Sequence, residues 1–170
     1  RHDNDWIEYV CNQTLQEKPI GEDVFDAFVF IIGRPASSYN TPERKNKALK
    51  DIYNIVCSKY KLKLVIKTHP KESLNGIDGS IYRDALGIEN YGKNWVYSES
   101  HPLILAKKAF FAISFYSGVS LDMLAMNKPT IEYLDLRGLK DYDNKDSFRD
   151  GNGNPALVYR QTELVLGASS

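Results

Sequence analysis

Three short clusters in this chain combine residue types that hold an anion: Gly33-Arg34, Lys67-Thr68-His69-Pro70, and Ser114 followed by Tyr116-Ser117-Gly118-Val119-Ser120. Small residues let an anion approach backbone N–H groups, a serine hydroxyl adds a hydrogen bond, and a helix start favours negative charge. Asp122 falls about one turn inside the helix that Ser117-Gly118 introduces, within reach of a ribose hydroxyl. Pro70 restrains His69 to an extended backbone and aims its imidazole out of the strand end. There the ring can offset charge building on a departing phosphate, either protonated or as a donor from one nitrogen. Each piece also has a plain structural use: a turn for His69-Pro70, an N-cap for Ser117, a first-turn acid for Asp122, a turn-easing glycine at Gly33. Their joint occurrence along one sheet edge favours a binding site. His101-Pro102 reads instead as a helix start.

The elements that must position these clusters alternate. Phe28 to Ile32 is a continuous apolar run, the pattern of a strand buried on both faces. Thr41-Pro42-Glu43 opens a helix whose buried face is Ala48, Leu49, Ile52, Tyr53, Val56 and Cys57. Strands follow at Lys63–Thr68, Trp95–Tyr97, Phe110–Ser114 and Thr130–Leu134, with helices from Ser100-His101-Pro102 and from about Gly118 to Met126. The stretch between Pro70 and Trp95 reads as irregular and partly polar, with Ile77-Asp78-Gly79 as a turn. Strands separated by helices imply an α/β, Rossmann-like parallel sheet with helices on both faces. The organisation expected is a leading helix and linker over 1–26, the Rossmann-like domain over 27–139, and a polar loop with a C-terminal segment over 140–170. Trp6 to Val10 begins the leading helix, and Ile20 to Phe25 is linker.

Composition narrows the partners. The 170 residues suit one domain, and 22 basic against 22 acidic side chains leave no net field for nucleic acid or membrane. An anionic ligand must therefore be held by local groups. Cys11 and Cys57 lie far apart without a CxxC, as free thiols of a reducing, cytoplasmic compartment do. GxGxxG and GxxxxGK[ST] are absent, which removes ordinary NAD and ATP sites. The tail "KDYDNKDSFRDGNGN" loosely suggests a calcium loop but lacks the twelfth-position glutamate, so a mobile surface loop is expected there. No metal-ligand spacing stands out, and no bound cofactor is expected. Both ends of the chain read as cuts through a longer one.

"KTHP" and, further on, "AFFAISFYSGVSLDMLAMNKPTIEYLDL" resemble the C-terminal, donor-binding half of GT-B glycosyltransferases. The likeness runs over roughly Phe28 to Leu136. It is to bacterial capsule and surface-polysaccharide enzymes: Kdo transferases, sialyl- and polysialyltransferases, and CDP-glycerol glycerophosphotransferases. The resemblance implies one half of a GT-B fold, with His69 and Ser117 on the donor phosphate and Asp122 on the nucleotide's ribose. Gly33, Arg34, Lys67, Pro70, Gly118 and Ser120 would complete the site. It further implies a nucleotide-sugar donor (a CMP-sugar favoured), a glycan or glycolipid acceptor, and work in the cytoplasm or at the inner face of the plasma membrane. Two departures stand out. Gly118 occupies the place of the families' second hydroxyl, which Ser120 or a backbone N–H would then supply. The catalytic base is expected in a missing N-terminal Rossmann-like domain, leaving this chain inactive alone. Alternatives are an epimerase-type GT-B domain and a flavodoxin-like binding module.

Overall fold

The computed structural model describes residues 4–13 and 25–168. Among them six strands form one all-parallel sheet: β1 (Phe28–Ile32), β2 (Leu64–Lys67), β3 (Trp95–Tyr97), β4 (Ala109–Ser114), β5 (Thr130–Tyr133) and β6 (Leu166–Ala168). Their spatial order is β3-β2-β1-β4-β5-β6. The helices are α1 (Asn4–Gln13), α2 (Pro42–Tyr53), α3 (Ile77–Leu86), α4 (Pro102–Lys108), α5 (Val119–Ala125) and α6 (Val158–Gln161). The order builds outward from β1 in one direction and from β4 in the other, so the chain reverses between those two neighbours. In such sheets ligands bind beyond the carboxyl ends of the strands at that reversal.

β1 is buried along its whole length because helices cover both faces. Val29, Ile31, Leu64, Ile66, Trp95 and Ile113 pack with Leu49 and Ile52 of α2 and Ile81, Tyr82 and Leu86 of α3. Phe28, Phe30, Val65, Val96 and Ala112 face Leu105 and Ala106 of α4 and Met123 of α5. α1, begun where Trp6 to Val10 announce a helix, docks on α4 through Val10, Cys11 and Leu103. The linker expected at 20–25 lies outside the described residues, apart from buried Phe25. At α2 the Thr41 hydroxyl caps the Arg44 N–H and Pro42 takes the first helical position; the helix then widens into a π-turn over 54–59. At α4 the His101 ring accepts the Leu103 N–H at 3.3 Å, which makes it a cap.

Two regions differ from the sequence reading. The stretch after Pro70 is ordered by α3, and Ile77-Asp78-Gly79 is that helix's first turn rather than a loop turn. Gly79 is required there for close packing, since a Cβ would sit 1.9 Å from the Leu74 carbonyl oxygen. The polar tail is pinned down, not a free surface loop. Asp150 accepts N–H bonds from Asn152 and Asn154, both at 3.0 Å, and pairs with Arg160 at 2.6 Å, each side chain 7% exposed. Arg160 in turn donates to the Leu134 carbonyl at 3.3 Å, and the chain continues into β6 beside β5.

Candidate functional site

The histidine turn is built by a buried carboxylate. β2 leaves the core at Lys67, whose Nζ donates to the Glu99 carbonyl at 2.9 Å. The chain then turns through His69-Pro70-Lys71, closed by the Glu72 N–H donating to the His69 carbonyl at 2.8 Å. Glu72 Oε2 returns the bond by accepting the His69 N–H at 2.6 Å. Its other oxygen takes Lys45 Nζ of α2 at 2.5 Å and the Tyr82 hydroxyl of α3 at 2.9 Å. The Lys45 and Glu72 side chains are both 0% exposed, with Asp78 3.5 Å from Lys45 and the ammonium 4.4 Å from the Tyr82 ring centre. This network explains Gly33: a Cβ there would lie 2.5 Å from Glu72 Oε2 and 2.8 Å from the Lys67 carbonyl. Gly33 makes room for the strut under the histidine turn.

The turn also fixes the histidine's protons. His69 Nδ1 accepts the Lys71 N–H at 3.1 Å, so in the neutral ring the proton sits on Nε2. Partial burial, then the charges of Arg34 and Lys71, hold its pKa below the ordinary value, with Glu72 pulling the other way. His69 is therefore a neutral Nε2–H donor at neutral pH.

The opposite wall comes from β4. Tyr116 has φ +70°, left-handed backbone that a bulky residue adopts only under constraint. That reversal turns the chain from β4 into α5. It sets the Tyr116 ring 5.7 Å from the Arg34 guanidinium, which also lies 5.9 Å from Tyr39. Next comes Ser117, 7% exposed, whose Oγ accepts the Val119 N–H at 3.3 Å while its carbonyl accepts the Ser120 N–H at 3.0 Å. The N-cap of α5 is Gly118 and not Ser117, which sits one residue earlier and whose hydroxyl, accepting the Val119 N–H, keeps its own hydrogen for a ligand.

Two cavities adjoin at His69. The smaller, about 70 Å³, brings together Gly33, Lys67, His69, Pro70 and Ser117, with Thr68 and Val119. The larger, about 340 Å³, places Arg34 and Lys71 beside His69. Six of the nine expected residues thus meet at the β1–β4 reversal. Gly118 stands at the rim, exposed and with open space above it apart from the Tyr159 hydroxyl, 3.7 Å from where a Cβ would be. Ser120 is not in the cleft: its hydroxyl is buried on the inner side of α5. Asp122 is half-buried on α5 and lines neither cavity. Lys45, Lys71 and Glu72 were not anticipated, and Tyr116, named within the Ser114–Ser120 cluster, was given no role of its own. Only the adjacency of Lys71 and Glu72 to His-Pro was available as a signal. Among the described residues, no three His, Cys, Asp or Glu side chains are grouped to hold a metal ion, and no helix is long and apolar enough to cross a membrane.

No protein-family profile matches the chain, and no curated protein matches it. Solved structures do. S. aureus MnaA with UDP matches at TM-score 0.55 and 17% identity, over 75% of this chain and 33% of that one. The Methanocaldococcus jannaschii UDP-GlcNAc 2-epimerase, with UDP-GlcNAc and UDP, matches at TM-score 0.52 and 14% identity, over 75% of this chain and 36% of that one. The chain thus spans about a third of each protein, and its α/β sheet has the Rossmann-like fold found in these two UDP-bound proteins.

Proposed function

We propose that this chain is the nucleotide-sugar-binding part of a GT-B-type protein, holding the nucleotide phosphate where the sheet reverses between β1 and β4. The observation that carries this reading is the convergence of His69, Ser117 and Arg34 on adjoining cavities at that point. In it, His69 Nε2–H and the Ser117 hydroxyl donate to phosphate oxygens, and Arg34 and Lys71 offset the charge. Because His69 is neutral, it stabilises charge on a departing nucleotide phosphate by hydrogen bonding and keeps its proton. Asp122 reaches the ribose only if the nucleoside lies along α5.

Two reactions fit this half-site. One is glycosyl transfer from a nucleotide sugar, a CMP-sugar in the capsule-type families, to a glycan or glycolipid. The other is epimerisation of a UDP-sugar, favoured by the UDP bound in both structural neighbours. Calorimetric titration with UDP, CDP and CMP tests the common core: at least one binds saturably. Ser117→Asp, which sets a carboxylate against the phosphate, weakens that ligand about tenfold or more while the melting temperature holds. No saturable heat with any of the three, or equal affinity for the aspartate variant, removes the reading. A preference for UDP and turnover of UDP-GlcNAc without acceptor by the full-length protein select the epimerase; CMP preference selects the transferase.

A further inference from the structure

A separate cavity of about 240 Å³ opens between the start of α2 and the chain leaving β5, lined by Tyr39, Asn40, Arg44, Lys47, Tyr133 and Asp135 among others. Arg44 ties its two sides by donating through Nη1 to the Asp135 carbonyl. Its positive charge has no ion-pair partner among the described residues. The nearby Asp135 carboxylate is engaged by Arg137, at 2.8 Å from Nε and 2.7 Å from Nη2. Tyr133 donates to Asp51 at 3.2 Å, which takes up that carboxylate. Two polar groups of the lining residues lack partners among the described residues: the amide nitrogen of Asn40, a residue only 2% exposed, and the buried Tyr39 hydroxyl. A buried donor without a partner is costly, and two of them beside the Arg44 guanidinium, whose charge is shared only with the Asp135 carboxylate that Arg137 already holds, favour an oxygen-rich anion.

This cavity lies on the same sheet edge as the nucleotide cleft, but a wall divides them. Tyr39 meets Tyr116 edge-on, ring centres 6.1 Å apart, and the Arg34 guanidinium lies over both rings. We infer that the cavity receives the oxyanion, phosphate or carboxylate, of a saccharide acceptor docking beside the donor. The anion site stands on its own residues; the word acceptor rests on the nucleotide-sugar reading.

The test follows backbone amide shifts of the chain on titration with sn-glycerol 3-phosphate, with N-acetylneuraminic acid, and with neutral N-acetylglucosamine. The expected result is saturable movement at Asn40, Lys47 and Leu134 with one or both charged probes and none with the neutral one. The phosphate and carboxylate arms separate the two anion types. Arg44→Met weakens the response about tenfold or more. Since Arg44 also braces the Asp135 carbonyl, Lys47→Gln at the rim serves as a second variant and lowers affinity with the fold intact. Saturating UDP or CMP leaves the charged probe bound. No saturable shift at these amides, a response indifferent to both variants, or displacement by the nucleotide overturns the inference. A charged probe that binds here while no nucleotide binds anywhere keeps the anion site and sinks its role as acceptor subsite.

Discussion

Lys45→Met is the most exacting test of how the histidine turn is held. It removes an ammonium 2.5 Å from Glu72 and 3.5 Å from Asp78, the first pair at 0% side-chain exposure. The Glu72 carboxylate is then left buried with only the Tyr82 hydroxyl and the His69 N–H as donors. Removing one partner of a buried ion pair costs about 3–5 kcal/mol. At about 2–4 °C per kcal/mol for a domain of this size, melting falls by roughly 6–20 °C. Glu72→Gln strands the opposite charge, but Asp78, 18% exposed, still faces Lys45, so its cost sits at the low end of that range. The double variant Lys45→Met/Glu72→Gln removes both charges and recovers about 2 kcal/mol or more relative to the sum of the singles. Urea and thermal melts of the four proteins measure the cycle. Amide exchange at His69 gives an independent local readout, since its N–H is protected by Glu72 in the wild type and is released in Glu72→Gln. Single variants that each lose under about 1 kcal/mol, combining additively, would refute the buried strut.

Glu132, 1% exposed, is pushed by burial up to about 7 from its usual 4.5, against the pull of Arg160. The folded state therefore holds a proton that the unfolded chain releases, so this group's contribution falls as pH rises from about 4.5 to 7 and the loss is complete above. At about 1.36 kcal/mol per pH unit its ceiling is about 3 kcal/mol, and Glu132→Gln should abolish that slope in melts at about pH 5 and pH 8; an unchanged slope refutes the assignment. For His69, Asn can imitate Nδ1 as acceptor of the Lys71 N–H, and Gln can imitate the Nε2 donor. His69→Asn should keep stability and lose nucleotide affinity, and His69→Gln should do the reverse; calorimetry and melts showing the opposite order would reverse the roles of the two nitrogens.

What was legible in the sequence followed apolar continuity and caps. β1 emerges at Phe28 to Ile32 because a strand covered on both faces has no polar residue to interrupt it. α2 and α4 announce themselves through Thr41-Pro42 and His101-Pro102. α3 was hidden because its N-cap is Gly76, without a side-chain cap, and Gly79 and Ser80 dilute its first turn. Its buried positions Ile81, Tyr82, Ala85 and Leu86 nonetheless keep helical spacing. β6 was hidden for the opposite reason: Leu166 and Gly167 are exposed at the sheet edge and carry no burial pattern. Of the candidate site, the residues at strand ends were readable, since glycine, histidine-proline and serine punctuate the carboxyl ends of parallel strands. Lys45 was not: a lysine on an amphipathic helix counts as solvent-facing until a carboxylate from a turn 27 positions away is folded onto it.

The two walls of the cleft are fixed by different physics, and this bears on what the site can do. On the His69 side, α2 and α3 reach through the sheet's edge with Lys45 and Tyr82 to clamp Glu72, and Glu72 clamps the turn. Burial of the clamp raises the cost of displacing the turn, and the Lys71 N–H bonded to Nδ1 sets the tautomer of the neutral imidazole. On the Ser117 side, no such strut exists among the described residues. The bend relies on Tyr116 at φ +70°, a conformation worth about 1–3 kcal/mol of strain, held by the packing of its ring against Tyr39 and Tyr159 and by Arg34. The histidine wall is therefore the rigid reference, and the serine wall is the one a ligand can adjust by competing for Arg34. A ligand that drew Arg34 toward itself would remove one of the contacts on the Tyr116 ring, the ring that also packs edge-on against Tyr39 of the neighbouring cavity.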